Sequence, residues 1–101
     1  MPQPSAVALR IKMIRDWAVV PASHLSIAAG VSQSLIRQIE AGEIQDPGVK
    51  VLAGIAEQLD IDFQWLATGN GEEPVKERVR DAGERFRAMW PAQKRTGTDP
   101  A

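Results

Sequence analysis

The chain has 101 residues, enough for one compact domain with an appendage, and its 44% hydrophobic content is too high for a disordered chain. The absence of Cys excludes disulfides and thiolate metal sites and suits a reducing, cytoplasmic setting, a single His excludes a His cluster, and the net charge is −1. With 5% aromatic residues, no Tyr and no sustained alternation of Val, Ile and Thr, strands are poorly supported and the predicted class is all-α.

Residues 1–5 read as a disordered leader, with neither a basic start nor an apolar signal region, and Ser5 is placed to cap a first helix. Val7, Ile11, Ile14 and Ala18 then recur at helical spacing until Pro21, which lacks a donor and clashes with the preceding turn. A short second helix is predicted from Ala22 to Ala29, stopped by Gly30. Ser32 can cap a third, over 32–41, whose Ile36 and Ile39 face inward and which ends at Ala41-Gly42. Residues 43–48 form a turn-rich loop.

The fourth helix carries Leu52, Ile55, Ala56 and Leu59 on one face, with Gly54 inside it at a cost of about 1 kcal/mol relative to Ala. Asp62 can cap a very short fifth helix bearing Phe63, Trp65 and Leu66, closed by Gly69. After a hinge at 69–74, Val75, Val79, Ala82, Phe86 and Met89 keep an amphipathic period that Pro91 is expected to break. The domains expected are therefore 6–71, a C-terminal helix over 72–91 and a disordered tail over 92–101. No apolar stretch approaches the roughly 20 residues of a membrane span, so no membrane contact is expected.

Charge is unevenly placed. Residues 1–71 hold five basic against seven acidic side chains, and residues 72–101 hold seven against six. A nucleic-acid-binding domain normally shows a basic footprint, which the first segment lacks.

The stretch from Ala22 to Gly42 is the informative one. Leu25, Ala29, Val31, Ile36 and Ile39 can fill a wedge between two steeply crossing helices. Gly30 sits where the chain must turn with positive φ, and Ser26 where only a small side chain lets the helices approach, its hydroxyl needing a partner. The chain here resembles the Cro/phage-repressor type of helix-turn-helix domain, the XRE-like family. Four segments carry the likeness in order: Ile14-Arg15; Gly30-Val31-Ser32-Gln33 through Ile39-Glu40-Ala41-Gly42; Pro47 with Leu52 to Leu59; and Phe63 to Gly69. It covers residues 6–71.

The resemblance implies a compact five-helix, lambda-repressor-like fold plus the C-terminal amphipathic helix, with no cofactor, no metal and no enzymatic activity. It implies double-stranded DNA as partner, read through the helix at 32–41. Gln33, Ser34, Arg37 and Gln38 would lie on its outer face, where Gln can read adenine and Arg guanine. Such a face is ordinarily only solvated, and the flanking motif is what turns the reading toward contact with bases or phosphates. Ser32, Ser23 and Arg15 complete the expected DNA-binding set. Arg15 is also expected to pair with Glu40 beneath that surface, since a charge directly after core Ile39 is hard to bury unpaired.

The chain also departs from the family pattern. Pro21 and Ala22 stand where the family places Thr or Ser and then a phosphate-gripping Gln, and Glu43 and Asp46 stand in a loop that usually carries Lys or Arg.

Other residues read blandly. His24 is expected to be solvated rather than a ligand, Trp65 to pack in the core, and Asp60 and Asp62 to act as caps rather than a catalytic pair. The C-terminal stripe either folds back over its own domain or joins a second copy; a dimer through Val75, Val79, Phe86 and Met89 is the expectation. The functions these readings allow are an operator-binding repressor acting as a homodimer, or an antitoxin or regulatory adaptor of the same fold whose main partner is a protein, such as a toxin or another regulator.

Overall fold

The computed structural model describes the backbone of residues 3–98 and the side chains of residues 3–90. Six helices and no strand occur among the described residues: α1 (Ala6–Ala18), α2 (Ala22–Ala28), α3 (Leu35–Glu40), α4 (Val49–Leu59), α5 (Phe63–Thr68) and α6 (Lys76–Thr98). None of them is long and apolar enough to cross a membrane.

Local chemistry sets most of the ends. Ser5 Oγ accepts the Ala8 N–H at 3.2 Å at the start of α1, and Asp62 Oδ2 accepts the Trp65 N–H at 2.9 Å at the start of α5. Asp60 closes α4 in the left-handed conformation. The helices bury one face each into a single core centred on Ile11, Ile14, Leu25, Ile36, Ile39, Ile55, Leu59 and Leu66, all essentially inaccessible to water, with Trp65 packed beside them. Gly54 has a packing reason: a Cβ there would lie 2.8 Å from that of Ala29, so α4 approaches the end of α2 only without a side chain.

Four expectations need correction. Helix α3 begins at Leu35, three residues later than expected, and its N-cap, Ser34, makes no side-chain bond. Ser32 contributes instead through its backbone carbonyl, which accepts the Leu35 N–H at 3.1 Å. The leader packs on the domain from Gln3: Gln3 lies against Gly42, and its carbonyl accepts from Gln45 Nε2 at 2.9 Å. Residues 1–2 lie outside the described residues. Pro91 does not break α6, whose backbone continues to Thr98; the proline removes one bond to the carbonyl four residues back, yet its fixed φ is a helical value. The tail expected from residue 92 therefore starts as helix, and residues 99–101 lie outside the described residues.

The fourth correction concerns His24. It is half-buried, and its ring stacks on Trp90 of α6 at 4.4 Å between centroids, with Phe86 on that indole at 5.7 Å.

Helix α6 folds back over its own domain. Val79, Ala82 and Phe86 are buried, whereas Val75 and Met89 stay exposed, so the stripe expected to meet a second copy is divided between the inside and the outside. The crossing with α1 is close. Gly83 lies against the Ala18 carbonyl, where any Cβ would collide, and Arg87 Nη1 donates to the carbonyls of Ala18 and, at 3.0 Å, Val19. That guanidinium places a positive charge at the C-terminal end of α1, where the helix dipole favours one. It also braces Val19, a β-branched residue held at φ 57° in the left-handed region.

Candidate nucleic-acid interface

Helices α2 and α3 meet across a turn built from backbone hydrogen bonds. The Gly30 N–H donates to the Ile27 carbonyl at 3.0 Å and the Val31 N–H to the Ser26 carbonyl at 3.1 Å, with Gly30 at φ 84°. This is the Schellman arrangement, which ends a helix and reverses the chain only where a left-handed residue is tolerated.

The second link is a side chain. Ser26 is wholly buried, and its Oγ accepts the Ile36 N–H at 3.1 Å. The amide it satisfies is in the first turn of α3, the end that Ser34 leaves without a side-chain cap. A residue of the first helix thus caps the second. The buried polar Ser in an otherwise apolar wedge was the signal in the sequence; its partner, ten residues on, was not legible.

Arg15 and Glu40 lie beneath this surface. Arg15 Nε and Nη2 donate to the two carboxylate oxygens of Glu40, each at 2.8 Å, and Nη1 donates to the Val20 carbonyl at 3.2 Å. Their side chains are 18% and 11% exposed. The bidentate pair ties α1, the α1–α2 corner and the end of α3 together, and it raises the guanidinium's pKa above its usual range, chiefly through the hydrogen bonds to Glu40. Since all three guanidinium nitrogens bond within the domain, Arg15 acts here as a brace.

The remaining expected site residues fall into two groups. Ile36 and Ile39 anchor α3 in the core, which leaves Arg37 exposed and Gln38 half-buried. Ser32, Gln33 and Ser34 are exposed in the segment just ahead of α3. Ser34, Arg37 and Gln38 line one shallow groove together with Ala41 and Glu43. Ser23 stands apart on α2, half-buried.

Two arginines outside the expected DNA-binding set are also structural. Arg87 holds the α1 end, and Arg10 donates to the carbonyls of Leu66 at 2.9 Å and Ala67 at 3.2 Å, closing α5.

The arrangement is therefore a rigid two-helix unit whose second helix is locked by apolar residues and a buried cap, while a polar, amide- and guanidinium-bearing face stays open. Such a face suits reading the edges of bases in a duplex groove. A helix-turn-helix family model matches residues 25–66, which contain α2 from Leu25, the turn, α3, α4 and most of α5. No curated protein and no solved structure matches the chain. The matched family is non-enzymatic and its domains bind DNA. Residues 25–66 are accordingly a helix-turn-helix domain of the Cro/phage-repressor, XRE-like type, in a lambda-repressor-like fold.

Proposed function

We propose that the chain is a cytoplasmic, sequence-specific transcriptional regulator, a repressor that binds an inverted-repeat operator as a homodimer through α3 and the segment before it. The observation that carries this reading is the shared groove of Ser34, Arg37 and Gln38 on a helix whose opposite face is locked in the core. Gln33 and Gln38 are the adenine readers and Arg37 the guanine reader. Ser32, Ser34 and Ser23 contribute polar contacts, and Arg15 supports α3 from below.

Enrichment of bound sequences from random duplex DNA tests the reading. It predicts an inverted repeat with half-site centres about 34 Å apart, one helical turn. Gln33→Ala, Arg37→Ala and Gln38→Ala should each relax one position by about 1–3 kcal/mol. An unenriched pool would overturn it. Dimerisation would use the outer side of α6 and the residue before it, where Met89 and Val75 are exposed. Met89→Asp should give a folded monomer in sedimentation and weaker binding to the repeat.

A second reading, an antitoxin or regulatory adaptor with a protein as main partner, is favoured by one observation. Glu43 and Asp46 are exposed in the loop after α3, and few cations accompany them. Recovery of a stoichiometric protein partner by a chain that enriches no DNA would support it.

A further inference from the structure

Most basic side chains of residues 1–71 are engaged within the fold. Arg10 holds the α5 carbonyls, Arg15 holds Glu40 and Val20, and Lys12 pairs with Asp16 at 3.3 Å. Arg37 and Lys50 are exposed and form no ion pair among the described residues. Phosphate attraction from this region is therefore weak, and discrimination must rest on groups that face bases.

Glu43 stands beside the candidate base readers. Its N–H donates to the Gln38 carbonyl at 2.9 Å, and the next amide, that of Ile44, donates to the same carbonyl at 3.3 Å. Gln45 Nε2 donates to the Gly42 carbonyl at 2.9 Å, fixing the following turn of the loop. The backbone of Glu43 thus moves with α3, and its exposed side chain lines the groove that Arg37 and Gln38 line. Any approach that brings those two side chains to base edges brings this carboxylate with them.

A carboxylate only accepts hydrogen bonds. Phosphate oxygens, guanine O6 and N7, and thymine O4 are acceptors too, so each repels it. The partners a duplex offers it in the major groove are the exocyclic amino groups, cytosine N4 and adenine N6.

We infer that Glu43 is a specificity-determining residue of the interface. It accepts a hydrogen bond from the amino group of a base next to those reached by Arg37 and Gln38, and it rejects sequences that place a keto oxygen there. Selectivity then comes from a repulsive element as well as from attractive ones. The inference rests on the DNA-reading function proposed above.

The test is parallel enrichment from random duplexes with the wild type and with Glu43→Gln, an exposed change that leaves the size of the side chain unchanged. Gln both accepts and donates, so one consensus position, cytosine or adenine for the wild type, should open to keto bases while all others persist. The preference of the wild type for that base, lost in the variant, should be at least about fivefold. If the variant keeps the wild-type consensus at every position while all affinities rise together, Glu43 acts on phosphates alone and the inference is overturned. A wild type that enriches no sequence would overturn the DNA-reading function itself, which separates the two failures.

Discussion

Helix α6 and the α2–turn–α3 unit are attached to the same core by different means, and the difference shows where this molecule keeps its precision. The two-helix unit is held by directional bonds: a Schellman turn at Gly30, the Ser26 cap on Ile36 and the bidentate Arg15–Glu40 pair. Helix α6 is held mainly by area, through Val79, Ala82 and Phe86, with a close backbone approach at Gly83 and one guanidinium on the end of α1. Apolar burial is non-directional and scales with area, whereas hydrogen bonds fix orientation. A surface that must present side chains at set angles to a rigid duplex needs the second kind of attachment. A helix that covers a core can use the first.

The largest expected effect tests whether α6 belongs to the cooperative unit. Phe86→Ala should destabilise by about 3–5 kcal/mol in urea unfolding, as for other buried aromatic truncations. If the midpoint of the main transition does not move, α6 docks separately and the contrast with the core unit becomes one of folding as well as bonding. Because Phe86 is in the core, its replacement by Asp would disturb the fold before it disturbed any assembly.

Next comes the ion pair. Glu40→Gln should cost about 2–4 kcal/mol, below the full value for a wholly buried pair because both side chains keep some exposure. The raised pKa of Arg15 means that its contribution is complete at all pH values below the ordinary arginine range and is lost only as pH rises above that range through the raised value. Stability measured between pH 6 and 9 should therefore show no titration from this guanidinium. A smaller loss for Glu40→Gln than for an exposed control such as Asp16→Asn would remove the pair from the account of why the unit is rigid.

Gly30→Ala should cost about 1–2 kcal/mol for purely conformational reasons. A Cβ there meets no atom within 4 Å, so only the φ of 84° resists it. A neutral result would mean that the turn reshapes readily. The smallest effect is Ser26→Ala, about 1 kcal/mol, the usual size for a lost helix cap. Its sharper readout is hydrogen exchange: the Ile36 amide should lose protection while amides in α4 do not.

Much of the helical layout was legible in the residues because the governing contacts are local. Ser5 and Asp62 cap the amides three residues on, Gly30 and Gly69 stop helices by tolerating positive φ, and the apolar positions of α1 and α4 repeat within one or two turns. The start of α3 was misplaced because its cap comes from Ser26 on the preceding helix, while Ser32 and Ser34 look like local caps in the sequence. The polar face carrying Ser34, Arg37 and Gln38 followed from the inward spacing of Ile36 and Ile39. The inclusion of Glu43 in that groove did not, because it depends on how the loop folds back onto the Gln38 carbonyl.

What the sequence determined by itself is the all-helical class, the position of the turn and the family of the two-helix unit. These rest on periodicity, on glycine's freedom at positive φ and on small side chains at a crossing, all readable within a few residues. Tertiary structure alone decided which cations remain available and which side of α6 is covered. Arg10 reaches carbonyls 56 and 57 residues away, and Arg87 reaches one 68 residues away. Charge and apolar character are properties of a residue, but whether they are used inside the fold or left for a partner is a property of distances that only packing sets.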